Sequence, residues 1–138
     1  MIGVLIITHG NLGSEFIKVA ELIKGRLEGI QHVSVNASKG MDEIKKDIMT
    51  AVKKVDGGSG VLILTDLFGG TPSNISLSFL KSGKIEVVTG VNLPMLLKLS
   101  DLKGEKNLGE FASLIRDYGK KNIVLASEVL SREVGGGK

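Results

Sequence analysis

The sequence predicts an α/β fold, a single doubly wound and mainly parallel sheet with helices on both faces. Two observations carry this. Short, nearly unbroken apolar runs such as Gly3-Val4-Leu5-Ile6-Ile7 and Val61-Leu62-Ile63-Leu64 read as strands buried on both faces. Between them lie stretches with apolar residues at helical spacing, so strand and helix alternate along the chain. Many of the 19 glycines follow apolar runs, where strand-to-helix turns need them.

Taken in order, the first strand runs into His9 and Gly10. Leu12, Phe16, Val19, Ala20, Ile23 and Leu27 then mark a helix with one stripe expected to be buried. His32 to Asn36 alternates as a second strand, with His32 at its beginning and so structural or exposed. Met41, Ile44, Ile48, Ala51 or Val52, and Val55 define a second helix, whose Asp42 and Glu43 suit the positive end of its dipole. A third strand ends at Thr65 and continues into Asp66-Leu67-Phe68-Gly69-Gly70-Thr71-Pro72-Ser73-Asn74. There Thr71 is expected to cap a helix that opens on Pro72. Ile85 to Thr89 is a fourth strand, Pro94 suits another helix start, and Leu108, Phe111, Ala112, Ile115 and Tyr118 mark a long helix. Ile123-Val124-Leu125-Ala126 reads as a fifth strand, parallel like the others. One domain is expected over 1–131, with 132–138 a flexible tail ending in Gly135-Gly136-Gly137-Lys138.

With 138 residues the chain has the size of one domain, and no cysteine is present for disulfides or thiolate metal sites. No basic leader or long apolar run is seen, so a soluble, cytoplasmic protein is expected. The net charge of +3 comes from scattered lysines, and with 4% aromatics and no nucleic-acid module, solvated helix faces explain it.

In the common five-strand order 2-1-3-4-5, ligands bind where strands one and three part at their carboxyl ends. Those ends carry His9 and Asp66. Neighbouring strands lie about 4.8 Å apart, close enough for the two side chains to share a hydrogen bond. A carboxylate on Nδ1 fixes the imidazole tautomer and leaves Nε2 as a nucleophile. Gly69 and Gly70 free backbone N–H groups for an anion, the helix start near Pro72 adds its dipole, and the hydroxyls of Thr71 and Ser73 are further donors. Gly10, beside the histidine, joins this set as a phosphate-binding position. The constellation describes phosphoryl transfer through a phosphohistidine. Neither a P-loop nor a dinucleotide fingerprint is present, flavin stacking is disfavoured by a chain with no tryptophan and one tyrosine, Tyr118, inside a helix, and a metal would lack a third ligand.

The segments I-I-T-H-G, L-T-D-L-F-G-G-T-P-S-N and V-T-G-V-N-L-P-M-L, in this order, closely resemble the enzyme IIA domain of the mannose-type (mannose/fructose/sorbose) sugar phosphotransferase system, over essentially the whole chain. The resemblance implies that His9 takes a phosphoryl group from HPr and passes it to a IIB protein, with membrane IIC and IID components involved indirectly and no cofactor. It implies that Asp66 orients His9 and that Thr71 lies beside the phosphate. It also implies a homodimer that exchanges an antiparallel C-terminal strand. Larger members of the family carry a fused IIB domain; its absence here implies a separate IIB polypeptide. The segment 101–107 matches no motif.

Two other readings share parts of the pattern. A receiver-type signalling domain phosphorylated on Asp66 would need acidic metal ligands after the first strand and a lysine after the fifth, where this chain offers His9 and Ala126-Ser127. The phosphotransferase subunit of dihydroxyacetone kinase shares the fold and the histidine, with a different loop after the aspartate.

Overall fold

The computed structural model describes residues 1–102, 104 and 107–134. Its strands are β1 (Gly3–His9), β2 (Ile30–Val35), β3 (Val61–Thr65) and β4 (Ile85–Thr89). Its helices are α1 (Leu12–Lys24), α2 (Met41–Val55), α3 (Thr71–Leu77), α4 (Leu93–Leu102), α5 (Leu108–Lys121) and α6 (Ala126–Val134). The sheet order is β2-β1-β3-β4, and every pairing is parallel. The α/β fold and the central strand order are those expected from the sequence.

Side-chain alternation explains why β1 and β3 lack polar residues over most of their length. Val4, Ile6, Leu62 and Leu64 enter one core with Leu96, Leu99, Phe111 and Ile115 from α4 and α5. Leu5, Ile7, Val61 and Ile63 enter a second core with Ile44, Ile48 and Ala51 from α2 and Ile75 from α3. A strand covered on both faces needs an apolar residue at every step. Each such side chain contributes roughly 1.5–3 kcal/mol on burial. Together they hold the carboxyl ends of β1 and β3 side by side.

Several expectations are corrected. Ile123, Val124 and Leu125 form no strand; they lie outside the four-stranded sheet and are exposed, leading straight into α6. An apolar run predicts β conformation, but a strand also needs another strand to pair with, and among the described residues none lies beside these. Arg132 to Val134, expected in the tail, continue α6, while Gly135 to Lys138 lie outside the described residues. Within 101–107, Lys103, Glu105 and Lys106 also lie outside them. On α1 only Ala20 of the expected stripe is fully buried, and Leu12, Val19 and Ile23 are exposed. Thr71 is the first residue of α3 rather than its cap; Gly70 holds the cap position. His32 is exposed on β2, as expected. Among the described residues no helix is long and apolar enough to cross a membrane.

Thr65 ends β3 fully buried, and its hydroxyl has no partner among the described residues. A buried hydroxyl without a hydrogen bond is destabilising. Thr65→Val keeps the shape and removes the polar atom, so chemical denaturation should show stability unchanged or raised by about 1 kcal/mol. A loss of that size would mean that the hydroxyl has a partner in solution.

Candidate active site at the carboxyl ends of β1 and β3

His9 is the last residue of β1, and Asp66 follows the last residue of β3. The register sets Ile7 beside Thr65, so the two residues emerge as neighbours. Asp66 Oδ2 accepts hydrogen bonds from the His9 backbone N–H at 3.0 Å and from the His9 ring at Nδ1 at 2.8 Å. Asp66 Oδ1 accepts from the Leu67 N–H at 3.0 Å. An ionised carboxylate only accepts, so Nδ1 carries the proton and Nε2 keeps its lone pair. The His9 side chain is 51% exposed and that of Asp66 only 9%, so the carboxylate sits beneath the ring it aims.

Burial is the largest single influence on Asp66 and pushes its carboxyl up. The hydrogen bonds from the His9 amide, the His9 ring and the Leu67 amide, with the attraction the ring exerts whenever it is protonated, together outweigh it, and the pKa lies below the usual aspartate value.

The loop after Asp66 needs its two glycines for different reasons. Gly69 has φ +93°, a conformation that side chains with a Cβ rarely adopt. At Gly70 the constraint is space, since an added Cβ would stand 2.9 Å from His9 Cε1 and 3.4 Å from Nε2. The loop is tied to α3 by Asn74, whose N–H donates to the Gly70 carbonyl at 2.9 Å and whose side-chain amide donates to the Gly69 carbonyl at 3.5 Å. The N–H groups of Gly69 and Gly70 have no acceptor among the described residues, and of the two glycines Gly70 is the one packed against the ring.

A cavity of about 310 Å³ opens against His9, with Thr71, Asn36 and Lys39 on its walls and Val35 and Ile44 at its apolar side. Larger grooves of about 340 and 430 Å³ follow β4 and β2, so the candidate site is picked out by its chemistry and not by its volume.

The structure thus brings His9, Asp66, Gly70 and Thr71 together, with Gly69 beside Gly70 in the loop. Two expected phosphate ligands are placed otherwise. The Gly10 N–H already donates to the Val35 carbonyl at 2.9 Å. Ser73 is fully buried, with a hydroxyl that has no partner among the described residues, and it does not line the cavity. Asn36 and Lys39 were not singled out in the sequence. Their signal was available, because β2 lies beside β1 and its following loop must reach the same sheet edge.

The fold and site define an α/β protein with a carboxylate-aligned, outward-facing histidine beside unpaired backbone amides. Residues 3–115 match the family model described as PTS system fructose IIA component. The chain belongs to this family, the mannose/fructose/sorbose-type IIA components of the sugar phosphotransferase system, which are phosphotransferases. It is 27% identical over 133 residues to the fructose-specific EIIA component of Bacillus subtilis, covering 96% of this chain and 91% of that one. It is 31% identical over 98 residues to the sorbose-specific EIIA component of Lacticaseibacillus casei, covering 70% of each. The crystal structure of phosphotransferase system component EIIA from Streptococcus agalactiae superposes with a TM-score of 0.83 at 26% identity, covering 93% of this chain and 99% of that one.

A depressed native pKa makes Asp66 stabilising above its unfolded value of about 3.9, and that stabilisation is lost as pH falls through the native pKa. The stability difference between the unaltered protein and Asp66→Asn should therefore be constant above about pH 5 and shrink as the medium is acidified further. Denaturation curves showing the same difference at pH 6 and at pH 3 would contradict the assignment.

Proposed function

We propose that this chain is a cytoplasmic phosphohistidine carrier that accepts a phosphoryl group from phospho-HPr on His9 and hands it to a IIB component for coupled sugar uptake and phosphorylation. The observation that carries this is the 2.8 Å bond from His9 Nδ1 to Asp66, which leaves Nε2 without a partner among the described residues on a histidine that lines the cavity. The Nε2 lone pair attacks phosphorus in line as the donor's P–N bond breaks, and that bond's electron pair returns to the donor nitrogen. Asp66 holds the Nδ1 proton throughout and stabilises the positive charge that the ring gains. The amides of Gly69 and Gly70 and the Thr71 hydroxyl meet the equatorial oxygens. Transfer to IIB is the same displacement in reverse. Membrane IIC and IID components contact this protein only through the IIB step.

A homodimer is part of this reading. Ile123, Val124 and Leu125 are 76%, 63% and 62% exposed. Apart from a single antiparallel bridge between Lys81 and Ile85, no strand lies on the outer edge of β4 among the described residues, and a groove of about 340 Å³ runs between β4 and α5. Only Asn122 separates α5 from Ile123. One residue spans at most about 3.6 Å, too little to descend from a helix about 10 Å across to the edge of the same sheet. As the family resemblance implies, the segment pairs antiparallel with β4 of a second copy, an exchange of one element between subunits.

With enzyme I, HPr and phosphoenolpyruvate, the unaltered protein should be labelled and His9→Gln should not, while circular dichroism of the variant stays native. Labelling of that variant would dispose of the mechanism. Asp66→Ala should slow labelling about a hundredfold or more, as loss of an imidazole orienter does. A chain cut after Asn122 should sediment as a monomer and the full chain as a dimer; equal masses per particle would refute the exchanged strand.

A further inference from the structure

Phosphorylation of His9 places two negative charges in a cavity whose walls hold one lysine, Lys39. In the unmodified protein that ammonium is turned the other way, 2.7 Å from Asp47 Oδ2 on α2. Lys39 stands on the ridge between two hollows, lining both the cavity of His9 and the groove along β2 that contains Asp47. The turn that carries it is fixed, since the Ser38 N–H donates to Asn36 Oδ1 at 3.1 Å and the Lys39 N–H to the Asn36 carbonyl at 3.3 Å. The backbone is therefore held while the four-carbon stem is free to swing.

Both members of the Lys39–Asp47 pair are about one-third exposed. Ion pairs of that kind are weak and readily exchanged. A phosphoryl dianion is a stronger partner for an ammonium than a single, partly hydrated carboxylate. Asp66, already engaged with His9 and Leu67, adds negative charge beneath the ring and makes a compensating cation more valuable.

We propose that Lys39 is a phosphoryl-binding residue held in reserve on Asp47: when His9 is phosphorylated, the ammonium leaves Asp47 and pairs with the phosphate oxygens across the shared cavity. This rests on the carrier reading above. It makes the stability of the phosphorylated state a competition between Asp47 and phosphate for one cation.

The competition gives the two residues opposite signs. The equilibrium of phosphoryl transfer between phospho-HPr and this chain can be read by ³¹P NMR in low salt. Lys39→Gln should shift it toward HPr by about tenfold, the loss of one charge-assisted contact. Asp47→Asn should shift it toward phospho-His9 by about threefold, because the lysine no longer has a competing partner. Lys39→Arg should stay within about twofold of the unaltered protein, and Lys39→Gln/Asp47→Asn should behave as Lys39→Gln alone. If the unaltered protein is phosphorylated but Lys39→Gln leaves the equilibrium unchanged, or Asp47→Asn moves it toward HPr, the role of Lys39 is overturned and the carrier reading stands. If the unaltered protein takes no phosphate from HPr, both fall.

Discussion

The hydrogen bond between His9 Nδ1 and Asp66 Oδ2 joins residues 57 positions apart in sequence and gives both their chemistry. Alone, a strand-end histidine would sample either tautomer and turn freely. Paired with an ionised carboxylate, it keeps its proton on Nδ1 and points one nitrogen outward. The same oxygen also receives the His9 backbone N–H at 3.0 Å, so backbone and ring are fixed together. The rest of the fold bears on the site through this contact. The two cores clamp β1 against β3, and the parallel register brings the end of one strand level with the end of the other.

Much of this was legible in the sequence because the relevant physics is local or topological. Apolar runs four or five residues long announced β1 and β3, and the helical spacing between them announced parallel crossovers. Topology alone then put His9 and Asp66 at one edge. The loop was legible in part. The turn at Gly69 and the close approach at Gly70 follow from glycine, but alternation could not show that Ser73 turns into the protein or that the Gly10 amide is already used by Val35. Those outcomes depend on how α3 lies on the sheet and how β2 is registered against β1, which no local pattern encodes.

The C-terminal arm is hidden from the sequence for a different reason. Ile123 to Leu125 have the composition of a buried strand and are exposed in the single chain. Composition reports that a segment must be covered, not by which molecule. The exposed residues Leu12, Val19 and Ile23 on α1 make the same point, since helical periodicity found the apolar stripe but could not tell core from surface. The β2–α2 loop shows the converse. Asn36 and Lys39 lack any motif, yet the strand order brings them to the wall of the His9 cavity.

The tautomer of His9 tests the account most directly. Long-range ¹H–¹⁵N correlation of the ring near neutral pH should show a proton on Nδ1 and a bare, pyridine-like Nε2, and the phosphorylated protein should show ³¹P–¹⁵N coupling at Nε2. A ring protonated at Nε2, or a phosphoryl group bonded to Nδ1, would mean that Asp66 does not aim the nucleophile.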